Sequence, residues 1–154
     1  MWMHMKYKAL VIILTCLFMP LKGFTHSAHC EDTKLNRLME DMKFQLKAYT
    51  EAFKQDDTKL MQESLLKLEE YTIKSKDYIP LKILNNMDSN TTTIMDLTEI
   101  QLEDFKNYEH EINRLLTYIE RLKRTSDKST IKSTLKTIKK HSKKSHKLFL
   151  KDCH

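Results

Sequence analysis

Hydrophobic residues recur at intervals of three and four along four stretches of this chain, residues 32–54, 58–78, 98–122 and 128–153. Residues at this spacing lie on one face of an α-helix. The apolar stripe of the first stretch is Leu35, Leu38, Met39, Met42, Leu46, Tyr49 and Phe53. The corresponding stripe of the last stretch is Ile131, Leu135, Ile138, Ser142, His146, Phe149 and Cys153.

Polar residues between the stretches predict how the helices are connected. The links at 55–57 and 124–127 are short, and short links join antiparallel neighbours. The polar stretch 85–93 is long enough to cross the end of a bundle. The pattern therefore predicts an antiparallel up-down-up-down four-helix bundle. Helix capping is expected from Asp32 or Thr33, Asp56 or Asp57, Asp96 or Thr98, and Ser126 or Asp127.

Composition supports an all-α fold. The chain of 154 residues contains one glycine and two prolines, whereas a β-rich fold needs turn residues every few positions. Leucine, lysine, glutamate and methionine dominate the periodic stretches, and all four are good helix formers.

The N-terminus has the order of a secretory signal peptide. Lys6 and Lys8 precede an apolar run at 9–19, and small or polar residues follow. We expect residues 1–27 to be cleaved, which leaves a domain at 28–154 exported to the periplasm, with no stable membrane association and no nucleic acid as a partner. The leader carries three lysines and no acid, so its removal lowers the net charge from +6 to +3. An uncleaved membrane anchor is the alternative.

Cysteine usage fits an oxidising compartment. Cys16 leaves with the leader, so Cys30 and Cys153 remain, at the two ends of the helical domain. These two ends lie side by side in an up-down-up-down bundle, and we expect a Cys30–Cys153 disulfide. Two unpaired terminal thiols are the alternative.

Two side chains on the predicted core faces are candidate ligands for a haem iron. Met39 follows Cys30 by nine residues and His146 precedes Cys153 by seven, which puts them about 13 and about 10 Å from the same end of the bundle. Low-spin haem iron accepts both neutral imidazole and thioether. The structural alternatives are a half-buried histidine and a core methionine.

Three short segments resemble the soluble cytochrome b562 family. They are Met39-Glu40 followed by Leu46, the pair Asp104-Phe105, and the segment His146-Lys147-Leu148-Phe149. The resemblance covers residues 38–148. It implies one non-covalent haem b held by Met39 and His146, Phe105 in the haem pocket, and electron transfer with a redox partner protein.

The chain departs from that family at two pocket positions. Ser142 stands where an arginine can occur, so Lys139 or Lys143 would serve the haem propionates, and Glu109 replaces a second pocket aromatic. A C-x-x-C-H motif is missing, so covalent haem attachment is not expected. The basic last helix suits an acidic partner, although its lysines also simply keep a helix soluble.

Rival functions come from other classes. The first is a haem-free exported bundle that acts as a protein-binding or structural factor. The second is a metal site at His26, His29 and Asp32, or at His141 and His154. An enzyme is not expected, because the chain has no nucleophile elbow, glycine-rich phosphate loop or pair of E-x-x-H motifs. We expect a monomer.

Overall fold

The structure is a computed structural model that describes residues 33–85, 87–88 and 92–149. Within these ranges the chain is helical and has no strand, which confirms the prediction of an all-α fold. The four long helices are α1 (Lys34–Lys54), α2 (Thr58–Lys74), α3 (Glu99–Lys123) and α4 (Lys128–Phe149). The leader at 1–27, Cys30 and Cys153 lie outside the described residues.

The long helices begin at residues predicted to cap them. In α1 and α2 the side chains of Thr33 and Asp57 accept hydrogen bonds from the third backbone N–H that follows. Thr98 and Gln101 form a capping box at the start of α3. At the start of α4, the backbone N–H of Thr130 donates to Asp127 over 2.7 Å. These side chains satisfy N–H groups that have no partner inside a helix.

The second helix is shorter than its apolar pattern predicts. It ends at Lys74 and tightens into a 3₁₀ turn at Ser75–Asp77. The Ser75 carbonyl accepts a hydrogen bond from the Tyr108 hydroxyl over 2.8 Å. In a longer α-helix this carbonyl would accept from the backbone N–H four residues later. Pro80 then starts a further short helix, Leu81–Leu84, which the sequence pattern did not predict.

Apolar side chains from all four long helices meet in one cluster. Its fully buried members include Tyr49 from α1 and Ile119 from α3, at 1% and 0% exposure. A second cluster lies toward the start of α1 and the end of α4, and its members are Leu35, Ile83, Phe105, Tyr108, Ile112 and Phe149. Burial of this apolar surface is the main force that holds the helices together.

The helices do not contact one another equally. α1 packs along the length of α2, α2 packs on α3, and α3 packs on α4, whereas contacts between α1 and α4 are sparse. Among the described helices, none is long and apolar enough to cross a membrane. The weak contact between α1 and α4 leaves the space in which the candidate site lies.

Candidate functional site

A cavity of about 720 Å³ separates α1 from α4 and opens to solvent. Its inner wall is apolar and includes Met42, Leu46, Ile112, Leu115 and Ile138. The volume lies within the range typical of small-molecule and cofactor sites. An apolar wall with a few polar groups is likewise the usual composition of such sites.

Both candidate ligand residues line this cavity. Met39 projects from α1, is half-buried and packs against both apolar clusters. His146 lies on α4 at the exposed edge of the same cavity. The structure therefore brings Met39 and His146 to one cavity, but His146 is not on the buried face of α4.

The buried histidine of α4 is His141, which the helical pattern did not single out for the core. The buried face of α4 passes through Ile131, Thr134, Leu135, Ile138, His141 and Phe149. A step of four residues turns the helix about 40° beyond a full turn. Two such steps, from Ile138 through Ser142 to His146, rotate the face by about 80°, which is why His146 lies at the edge.

Both ring nitrogens of His141 contact Glu111 on α3. Nε2 lies 2.9 Å from the Glu111 carbonyl oxygen, and Nδ1 lies 3.1 Å from the carboxylate oxygen Oε2. A carbonyl only accepts, so Nε2 carries a hydrogen. Nδ1 then faces Oε2, a buried carboxylate oxygen that accepts no hydrogen bond among the described residues. His141 is thus engaged in a buried pair between two helices, and neither ring nitrogen is available as a ligand.

Two other sequence expectations on α3 need correction. Glu109 does not line the cavity, whereas Glu111 does, with its side chain 12% exposed. Phe105 is buried in the second apolar cluster and does not line the cavity either. The aromatic residues of the cavity wall are Tyr108 and Phe149, whose rings meet edge-to-face with centroids 5.4 Å apart. Positions three residues apart on a helix share a face only in part, so Tyr108 reaches the cavity and Phe105 does not.

The cavity environment keeps His146 neutral over a wider pH range. Partial burial of the ring against the cavity wall lowers the pKa of His146 below its ordinary value of 6.5, and the nearby charge of Lys43 lowers it further. The ring is exposed on one side, so this effect is modest in energetic terms.

Two polar features complete the site. The Ser145 hydroxyl is buried in the cavity wall and has no hydrogen-bond partner among the described residues. Around the mouth is a group that we call the lysine rim, six exposed lysines contributed by α1 and α4: Lys43, Lys47, Lys54, Lys139, Lys143 and Lys147. A ligand with hydrogen-bond acceptors and negative charge would complement both features.

A metal site made of protein ligands alone is not evident in the described ranges, where no three histidine, cysteine, aspartate or glutamate side chains are grouped suitably. The expected alternative at His26, His29 and Asp32 lies outside those ranges. The other expected metal site pairs His141 with His154, and His154 also lies outside the described ranges.

Comparison with known proteins does not identify a family for this chain. The chain matches no family model, no curated protein and no solved structure.

Proposed function

We propose that this protein is an exported electron-transfer protein that binds one b-type haem in the cavity between α1 and α4, with Met39 and His146 as the axial ligands. The observation that carries the proposal is that these two residues, on separate helices, line the same cavity. The cytochrome b562 resemblance supports the same pair of ligands. In this proposal the mature protein is the periplasmic domain 28–154, a monomer and not an enzyme.

We also propose the antiparallel up-down-up-down arrangement of the four helices. The ion pair between Lys128 and Asp56, 2.6 Å long, supports it because it joins the start of α4 to the end of α1. Lys123 at the end of α3 likewise pairs with Glu69 on α2 over 3.0 Å. This arrangement puts the C-terminal part of α4 beside the N-terminal part of α1, where Met39 lies.

The residues of the cavity fit a haem in three respects. Imidazole and thioether are both ligands of low-spin haem iron, and the apolar wall suits the porphyrin face. The lysine rim and the Ser145 hydroxyl suit the two propionate carboxylates. Of the two methionines in the wall, the sulfur of Met42 is 3.2 Å from the Thr72 hydroxyl, which favours Met39 as the ligand.

Haem would supply a one-electron redox couple, and the chain would tune it. Thioether ligation by Met39 favours the reduced iron. With two protein ligands, the iron would have no open position for a substrate, and the apolar wall would contact the inner face of the porphyrin. These properties suit electron transfer rather than catalysis.

The test is a haemin titration of residues 28–154, followed by reduction and an absorption spectrum. Sharp low-spin bands at one haem per chain are expected, and Met39→Ala and His146→Ala should each lose them. Matched controls are His110→Ala, an exposed histidine on α3, and Met95→Ala, 97% exposed. Bands that survive both ligand substitutions, or that vanish in the controls, would contradict the assignment.

A second candidate function is capture of an amphipathic helix by a haem-free bundle. The cavity wall extends along α1 from Met39 to Lys54, about 22 Å, and such an open apolar groove suits a helix. A helical protein that gives only the broad spectrum of free haemin would favour this function.

A further inference from the structure

The lysine rim has a strong positive charge that the protein itself leaves largely uncompensated. Among the described residues, two carboxylates line the cavity, Glu51 and Glu111. Glu51 pairs with Lys54 over 2.8 Å and lies near enough to Lys47 and Lys139 for their charges to lower its pKa further. Glu111 pairs with Arg114 and faces His141 on the inner side. In the described part of the chain, the other five rim lysines form no ion pair: Lys43, Lys47, Lys139, Lys143 and Lys147.

This concentration of charge is not explained by helix solubility. α4 carries five further exposed lysines that do not line the cavity, and these already keep its outer side hydrated: Lys128, Lys132, Lys136, Lys140 and Lys144. The rim lysines come from two helices that scarcely touch, yet they gather at one opening. Like charges so placed repel one another, and their joint field extends from the cavity mouth into solvent.

A bound haem would neutralise only part of this charge. It carries two propionate carboxylates, fewer than the five rim lysines without an ion pair. A positive surface therefore remains around the opening, which is where the edge of a haem in this cavity would be closest to solvent. Electron transfer needs a partner to approach that edge, and transient redox contacts are small and steered by charge.

We propose that the lysine rim is the docking surface for an acidic face of a protein redox partner, which exchanges one electron with the haem at the cavity mouth. This inference rests on the proposed haem function. One electron passes between the partner's redox centre and the haem iron, and no bond or proton changes place. The docking surface includes α1 as well as α4, whereas the charge pattern of the sequence drew attention to α4 alone.

Two double charge reversals on α4 test the proposal with a matched control. Lys139→Glu with Lys143→Glu alters the rim, and Lys140→Glu with Lys144→Glu makes the same change in charge, at the same i, i+4 spacing, outside the rim. The probe is hexacyanoferrate(III), a small anion that oxidises the reduced haem protein. Stopped-flow absorbance at low ionic strength measures the rate of this oxidation. The rate constant of the rim variant should be at least about tenfold lower than that of the wild type. The rate constant of the control should stay within about twofold of the wild-type value.

Three further measurements connect the charge effect with an acidic protein surface. Rising salt should slow the wild type and remove the difference between the variants. Poly-L-glutamate, as a model of an acidic polypeptide, should inhibit the wild type and the control but not the rim variant. The cationic oxidant tris(phenanthroline)cobalt(III) should show the reverse preference, with a faster reaction for the rim variant.

The outcomes separate this inference from the haem assignment. If the wild type shows low-spin bands but the two double variants react equally fast, docking at the rim is wrong and the haem assignment stands. If the wild type never forms the bands, both proposals fail together. Rim-dependent binding to phosphatidylserine vesicles without any effect of poly-L-glutamate would replace the protein partner with a membrane surface.

Haem loss in the rim variant is a separate possibility, because Lys139 and Lys143 are the lysines that the cytochrome b562 resemblance implies for the haem propionates. The second variant is therefore Lys47→Glu with Lys147→Glu, which takes one rim lysine from each helix. A rate drop of similar size is expected there once the low-spin bands are present at full occupancy. An unchanged rate in this variant would overturn the proposal.

Discussion

The two sides of α1 differ in burial, because one is closely packed in the core and the other faces the cavity. On the side away from the cavity, Tyr49 and Ala52 are fully buried, at 1% and 0% exposure. Toward α4, Met39 and Leu46 are only half-buried and line the cavity. The apolar stripe of α1 is therefore wider than α2 alone covers.

The difference originates in what α4 presents to α1. The cavity-facing positions of α4 include Ser142, Ser145 and His146 together with lysines. Serine side chains are too small to fill the space, and lysines extend to solvent. The space between α1 and α4 thus results from side chains that cannot close it, and it suits a bound group that can.

The largest expected effect on stability is in the closely packed core. Ile119→Ala should lower the free energy of unfolding by about 2–5 kcal/mol, because it leaves a hole in a site with 0% exposure. Met39→Ala in the haem-free protein should cost less than half as much, since Met39 faces an existing cavity. Chemical denaturation of both variants measures the contrast, and equal losses would mean that the two flanks are packed alike.

The next effect concerns the buried pair at the back of the cavity. Glu111→Ala should destabilise the protein by about 1–3 kcal/mol, because it removes a largely buried side chain that lies against the His141 ring and leaves Nδ1 facing an empty space. The matched control is Glu103→Ala, an exposed position on the same helix, which should stay within about 0.5 kcal/mol. A Glu111 variant as stable as this control would show that the pair contributes nothing.

A smaller and opposite effect is expected at Ser145. Its buried hydroxyl lacks a partner among the described residues, so Ser145→Ala should leave the haem-free protein unchanged or more stable, by up to about 1 kcal/mol. Ser75→Ala is the contrast, because the Ser75 hydroxyl donates to the Thr72 carbonyl over 2.7 Å and its loss should destabilise. Destabilisation by Ser145→Ala would indicate that its hydroxyl is satisfied, for instance by ordered water.

The smallest effect is electrostatic and concerns the cavity edge. Lys43→Gln should raise the pKa of His146 in the haem-free protein, because one of the two causes of its lowering is removed. Lys47→Gln, at another rim position, should change it less. Titration of the His146 ring protons by NMR measures both, and an unchanged pKa in Lys43→Gln would show that the two side chains are not close in solution.

The sign of the accompanying stability change follows from the same shift. The pKa of His146 is lower in the folded protein than its ordinary value of 6.5, so the unfolded chain binds this proton more readily. The resulting destabilisation is absent well above pH 6.5 and grows as the pH falls below it. Lys43→Gln should reduce the part of the acid sensitivity that comes from this histidine.

Secondary structure was predictable because its determinants are local. Thr33, Asp57, Thr98 and Asp127 cap the helices as expected, since a cap depends on a side chain and the backbone within three residues of it. The end of α2 was not predicted, because the Tyr108 hydroxyl from a distant part of the chain bonds the Ser75 carbonyl. The Glu111–His141 pair escaped notice for the same reason, since its members are 30 residues apart.

By itself, the sequence determined the all-helical fold, the positions where the long helices begin, and the two residues proposed as ligands. Periodicity and capping suffice for these features, because they act over one or two helical turns. Only the tertiary structure decided that His141 rather than His146 is buried, that α1 and α4 stand apart, and that lysines of both helices surround one cavity. Rotation of each helix about its axis is set by packing against its neighbours, and a small change in rotation moves a residue from the core to the edge.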